Sequence, residues 1–351
     1  MFLFKFTSWR STRSRVLGVA AGAVAAAASM AAPSLAGTVT FGGNGVGQSF
    51  GMDFVTIGNP GNAADTDPTA APLNAGSVGR TFDINKFEVS RGMIEAYNAN
   101  PGVVAITMQD MSDGAGGSNN GGNGVDRPAT GITWNEAARF VNWLNIQKGF
   151  APAYKYANST ITTNLTPWTA NDTLDYDPLN PYRSKRSNFF LPSFNEWYKA
   201  AYHSPGGTYF DYANGKNTAP GAVASGDTAD TAVYGQPNSQ GPADVNNAGG
   251  LSPYGVMGLG GNVFEWEESS SNLANNDGTL NRGFRGGSWI QPASDLSSSS
   301  RYDRNPSGED NEIGFRVASY NSDAVVPEPS MMVIGMVFGL GGLAAKRRLK
   351  K

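Results

Sequence analysis

Side chains able to perform covalent chemistry are scarce in this chain. Its 351 residues include no cysteine and a single histidine, His203. Those two facts exclude a thiol nucleophile, a thiolate metal site, a disulfide framework and any site that needs two imidazoles. The run Ser297 to Ser300 offers hydroxyls, but the sequence sets no histidine or lysine base beside it. An unactivated serine is a weak nucleophile. Two arginines and two tryptophans stand out instead: Arg285 and Trp289 in Arg-Gly-Gly-Ser-Trp, Arg316 in Gly-Phe-Arg, and Trp266 directly after Glu265. They read either as a ligand patch or as loop-holding groups that donate to backbone carbonyls. The second reading is favoured, because a loop-rich chain has many carbonyls to satisfy. Glu267 and Glu268 read as a solvated face. His203, at the end of an alanine-containing helix, reads as a partner for the C-terminal dipole. Asn275-Asn276-Asp277-Gly278 reads as a turn.

The elements that must position these groups are legible in part. Met52 to Ile57 is strand-like, and Thr81 to Val89 alternates apolar and polar residues with the period of a half-buried strand. Ser90 then caps a short helix carrying Met93, Ile94 and Tyr97. Thr133 with Glu136, and Ser193 with Glu196, have the spacing of capping boxes. Ala137, Phe140, Val141 and Leu144 give the first of these helices one apolar face. Asp113 to Asn123 lacks apolar anchors and reads as a mobile loop, and Tyr154 to Arg186 as a polar, aromatic loop. Asn158, Asn164 and Asn171 begin Asn-x-Ser/Thr triplets, which are common by chance.

Three segments, in order, carry a family resemblance: Tyr254-Gly-Val-Met-Gly-Leu-Gly-Gly-Asn-Val-Phe-Glu-Trp266, then Arg285-Gly-Gly-Ser-Trp289, then Gly314-Phe-Arg-Val-Ala318. Together with the helix ending Asn142-Trp143-Leu144 and the Leu191-Pro192-Ser193 start, they resemble the sulfatase-modifying-factor, or formylglycine-generating-enzyme, domain over about residues 80–320. The resemblance implies an α+β fold related to C-type lectins, with short strands, short helices and much irregular backbone. It also implies a copper-bound cysteine pair that oxidises a client cysteine. Counting from Trp289 places Gln291 and Leu296 at those positions. Neither replaces a thiolate as a copper(I) ligand, so no catalytic residue and no copper are expected. The family's calcium turn carries over as the carbonyls of Gly261 and Val263 and the carboxylate of Glu265. Gly258 stands where the family commonly has Asn or Asp, so any Ca2+ binding there is expected to be weak. A branch with iron-dependent sulfoxide chemistry is excluded by the single histidine.

The two ends read as addresses. Residues 1–36 combine Lys5, Arg10, Arg13 and Arg15 with an apolar stretch and a small-residue cleavage site before Gly37, as in a signal peptide. Residues 321–351 contain Pro327-Glu328-Pro329, an apolar segment over 331–345 and a basic end over 346–351. That apolar segment is shorter than the roughly 20 residues of a membrane helix, and the order resembles the PEP-CTERM sorting signal. The resemblance implies an exosortase-type processing enzyme as partner, a transient hold in the inner membrane, and delivery to the cell surface or matrix. Between the ends lie a Gly/Asn/Ala-rich segment, 37–79, and the domain, 80–320. Residues 1–36 and 326–351 hold nine of the 26 basic residues and one of the 29 acids, which leaves residues 37–325 at a formal charge of −11. So acidic a body is a poor candidate for binding nucleic acid or anionic lipid, and no nucleic-acid partner is expected. Two functions stay open: an exported surface or matrix protein that binds a polysaccharide or peptide, or an enzyme whose chemistry uses no cysteine. The sorting tail and the missing thiols favour the first.

Overall fold

Ser90, Thr133 and Ser193 start three helices. The Thr133 and Ser193 side chains accept from the backbone N–H of Glu136 and Glu196, whose carboxylates return to the cap N–H. Each such cap is worth about 1 kcal/mol. In this computed structural model, which describes residues 35–43, 47–112, 120–156 and 165–320, the helices are α1 (Arg91–Asn98), α2 (Trp134–Gln147) and α3 (Phe194–Tyr202). The strands are β1 (Leu35–Gly42), β2 (Ser49–Ile57), β3 (Phe82–Asn85), β4 (Phe189–Phe190), β5 (Gly221–Ala222), β6 (Thr231–Ala232), β7 (Phe264–Ser270), β8 (Arg282–Arg285), β9 (Tyr302–Arg304), β10 (Ile313–Gly314) and β11 (Ala318–Ser319). The mixture of short strands and helices is the expected α+β class.

One sheet runs β1-β2-β3-β11-β4 and is antiparallel throughout; a second runs β10-β7-β8-β9, with β10 parallel to β7. The first sheet corrects the expected boundary at residue 80. β1 and β2 are long strands, and β2 pairs with β3 from Phe54↔Asn85 to Ile57↔Phe82. Residues 37–79 therefore belong to the domain. The Met52 to Ile57 strand is legible in the sequence, but the surrounding glycine and asparagine content hid that Met52, Phe54 and Ile57 belong to the core of the domain.

One core cluster gathers α1, α2, β2 and β7 around Trp134, Phe140, Trp266 and Phe315; the other packs α3 against β2, β3 and the 254–259 segment. Trp134 donates to the Glu267 carbonyl and Trp266 to the Ile132 carbonyl, each at 2.8 Å, so α2 and β7 are locked by both apolar area and paired polar tips. Burying a tryptophan removes roughly 200 Å2 from water, worth on the order of 5 kcal/mol. Trp197→Ala would break the second cluster at its centre.

Among the described residues no helix is long and apolar enough to cross a membrane. The expected signal peptide (apart from its last two residues, which begin β1), sorting tail, Asn158 and Asn164 lie outside the described residues, as do residues 113–119 of the expected mobile loop.

Candidate functional site

The turn before β7 uses backbone conformations that few side chains accept. Gly261 sits at φ 86°, and a Cβ there would lie 2.4 Å from the Val233 carbonyl oxygen. Only glycine fits. Asn262 follows at φ 63°, a left-handed conformation that asparagine tolerates better than most residues. Its Oδ1 accepts from the Ala243 N–H at 2.8 Å, and its Nδ2 donates to Glu88 Oε1 at 2.9 Å. Glu88 is fully buried, and its Oε2 has no hydrogen-bond partner. Burial, with Arg316 opposing and Glu265 adding, pushes its carboxyl up to about 8. A Cβ at Gly258 would lie 2.6 Å from that carboxylate, so the position that lacks an Asn or Asp has no room for one in this arrangement.

The turn delivers Glu265 into the interior on β7, with no solvent exposure. Its Oε2 accepts from Arg316 Nε at 2.6 Å and from Trp197 Nε1 at 2.7 Å, while Oε1 accepts from Arg316 Nη2. The three expected calcium ligands, Gly261, Val263 and Glu265, thus share one short segment, but as placed they do not fit a calcium ion. Both carboxylate oxygens are occupied by a guanidinium, and a dication at the same oxygens would face that positive charge in a dry interior.

The arginines behave as loop holders. Arg316 also donates to the carbonyls of Asn85 at 3.1 Å and Met257 at 2.9 Å. Arg285 donates to the carbonyls of Ser298 and Ser300 at 3.0 and 3.1 Å, among the rings of Trp197, Tyr198 and Tyr202. The expectation for Glu267 and Glu268 is corrected: both have zero exposure. Glu267 pairs with Arg301 at 2.7 Å, and Glu268 accepts from Arg183 at 2.8 and 2.6 Å and from the Tyr154 hydroxyl at 2.9 Å. Arg183 also binds Glu196; there burial raises the carboxyl, but the Arg183 charge and hydrogen bonds outweigh it and hold Glu196 at about 2. β7 is buried on both faces, so its polar residues are interior ones, which strand alternation alone does not reveal. His203 is corrected too. It is buried, with Nδ1 2.9 Å from the Tyr254 hydroxyl, and burial with nearby Lys199 pushes it down to about 4. It is neutral at pH 7 and offers the helix dipole no cation.

Gln291 and Leu296 do not share a cavity. Gln291 is half-buried on the rim of a cleft of about 300 Å3. Leu296 is 1% exposed and packs against Gly287 and Gly260. The cleft's wall is aromatic: Phe284 and Tyr302 stack at 5.7 Å, and Phe264 sets its edge against both, at 5.3 and 5.6 Å. Gln291, Asp295 and Glu312 line the rim. Glu312 Oε2 accepts from Ser288 Oγ at 2.6 Å and Gln291 Nε2 at 2.8 Å. The rim holds hydrogen-bonding and charged groups but no thiol, imidazole or amine, so the arrangement suits recognition. Glu88, Glu312 and Tyr302 were not singled out from the sequence. The only traces there were the place of Glu88 in the alternating Thr81 to Val89 stretch and the nearness of Glu312 and Tyr302 to the last two motif segments.

Comparison with known proteins agrees with this geometry. A curated relative, chaperone protein LppX of Paenibacillus barcinonensis, is 26% identical over 258 residues, covering 68% of this chain and 86% of the relative. The solved structure of variable protein 1 of Treponema denticola superposes with a TM-score of 0.51 at 20% identity, covering 81% of this chain and 98% of that one. The crystal structure of CarF gives a TM-score of 0.50 at 21% identity, covering 77% and 98%. At those identities the solved structures speak to fold alone. The family described as sulfatase-modifying factor enzyme 1-like domain matches residues 37–320, nearly the span of the described residues, and the chain belongs to that family.

Proposed function

We propose that this chain is an exported bacterial surface or matrix protein whose sulfatase-modifying-factor scaffold binds a ligand instead of oxidising a cysteine. One observation carries the reading. Of the two positions that spacing assigns to the catalytic thiols, one holds an amide on a cleft rim and the other a leucine in the core. No cysteine elsewhere in the chain can substitute. The name of the Paenibacillus relative, a chaperone, also supports a binding role. Export rests on the sequence of the two ends, with an exosortase-type enzyme as the processing partner and a transient stop in the inner membrane. The ligand is a polysaccharide or a peptide, and the cleft beside Gln291 is where it is expected to bind.

The test is a glycan, polysaccharide and peptide binding screen on residues 37–325, run with and without calcium. Saturable binding that is lost on substitution of rim residues supports the reading. Aerobic incubation with a sulfatase-motif peptide is the counter-test: an aldehyde-bearing product, seen by mass spectrometry, would overturn it.

A further inference from the structure

We propose that the cleft beside Gln291 takes the positively charged side chain of a lysine or arginine on a partner polypeptide; this deepens the binding reading above and rests on it. Three independent features point to that chemistry. The first is shape. About 300 Å3 of concave space opens over the stacked Phe284 and Tyr302 rings, and Tyr302 is 42% exposed, so part of the aromatic wall is left to solvent. Ring faces attract cations, and flat guanidinium groups stack on them.

The second is charge. Three carboxylates line the cleft, and no lysine or arginine does. Asp310 is already paired with Arg304 at 2.9 Å, whereas Asp295 and Glu312 have no cationic partner among the described residues. Ser288 and Gln291 fix Glu312 through Oε2 alone, which leaves Oε1 to a ligand. Acids by themselves would be a solvated rim. Beside an aromatic wall they form a cage that an anion avoids and a cation fills.

The third is the apolar floor. Phe264 and Ile313 are 5% and 2% exposed, and they lie under the cleft. A lysine or arginine carries its charge on a hydrocarbon stem that packs on such a floor. An amino sugar has its charge among hydroxyls and has no such stem. At longer range, the −11 charge of residues 37–325 raises the local concentration of basic segments.

The experiment is saturation-transfer NMR with the purified full chain, observed on N-acetyl-lysine N-methylamide and the arginine equivalent. The norleucine equivalent serves as neutral control, and glucosamine as the amino-sugar arm. Saturable binding of the lysine or arginine compound is expected. Asp295→Asn and Tyr302→Ala, both at partly exposed sites, should each weaken it about fivefold, as should raised salt. Circular dichroism checks that both variants fold. Equal binding of norleucine, preference for glucosamine, unchanged affinity in both variants, or no saturable signal would each overturn the proposal. A ligand screen that succeeds at the cleft while these cations fail overturns only the charge assignment. A screen in which nothing binds overturns the binding reading itself.

Discussion

Glu88→Gln is expected to flatten the pH dependence of stability between about pH 5 and pH 8. Glu88 has no solvent exposure, one oxygen bonded to Asn262 at 2.9 Å and the other unpartnered. Its carboxyl moves from an ordinary 4.5 to about 8, burial being the largest cause. The native state therefore holds a proton that the unfolded chain releases. That stabilisation is complete below 4.5 and is lost as the pH rises through 8. Each unit of separation is worth about 1.4 kcal/mol. Allowing for partial ionisation at both limits, wild type should lose about 3 kcal/mol from this residue between roughly pH 5 and pH 7.5.

Glutamine keeps the shape and still accepts from Asn262, but it carries no proton to lose. The two proteins should match near pH 5, and the variant should be the more stable by about 3 kcal/mol near pH 7.5. Urea unfolding followed by tryptophan fluorescence, at several pH values, gives the difference directly. Taking the difference removes His203, whose lowered value near 4 acts with the opposite sign, adding stability as the pH rises towards 6.5. Parallel profiles for the two proteins would refute the reasoning, because they would mean that Glu88 is ionised in the fold or solvated.

Glu265→Ala should destabilise the domain by about 4 kcal/mol, since it strands the Arg316 guanidinium in the interior; Arg316 itself has no exposure. Millimolar calcium should raise the wild-type melting temperature no more than matched magnesium does, and a calcium-specific rise abolished in Glu265→Ala would restore the metal reading. The double substitution Gln291→Cys with Leu296→Cys should cost about 2 kcal/mol, through the space left around residue 296. It should also fail to bind copper(I) as a thiolate pair in a competition titration with a chromophoric chelator; tight binding by both thiols would show that the two positions converge. Intact-mass measurement on the mature protein from its native host should find the tail cut near Pro327-Glu328-Pro329. Recovery through Lys351 in most molecules would leave a plain membrane anchor.

Motif chemistry was the most legible layer of this chain. The capping boxes at Thr133 and Ser193 and the cap at Ser90 are local patterns that form as the spacing predicts, and the motif arginines hold loops as expected, although Arg316 does so through carbonyls far away in sequence. What sequence could not convey is burial arranged by distant segments. Glu267 and Glu268 look like a solvated pair until Arg301, Arg183 and Tyr154 arrive from elsewhere in the chain. His203 looks like a surface cation until Tyr254 and Tyr209 pack around it. The domain start was misplaced for a related reason. Glycine-rich composition suggests a linker, but β1 pairs with β2 and β2 with β3, a ladder that no single window of sequence displays.

The arrangement also explains how the domain is held together without any thiol. Arg316 joins Glu265 on β7 to the carbonyls of Asn85, Lys86 and Met257, tying together chain segments that are far apart in sequence. A buried ion pair of this kind contributes little net stability, because desolvation offsets most of the attraction, but breaking it is severe. It therefore acts chiefly to select one packing. None of its atoms comes from residues 291 to 296. The rim residues Gln291, Asp295 and Glu312 are only half-buried, so they are less constrained by core packing than the residues of that pair. The side chains that tie the fold together are thus separate from those that line the cleft rim.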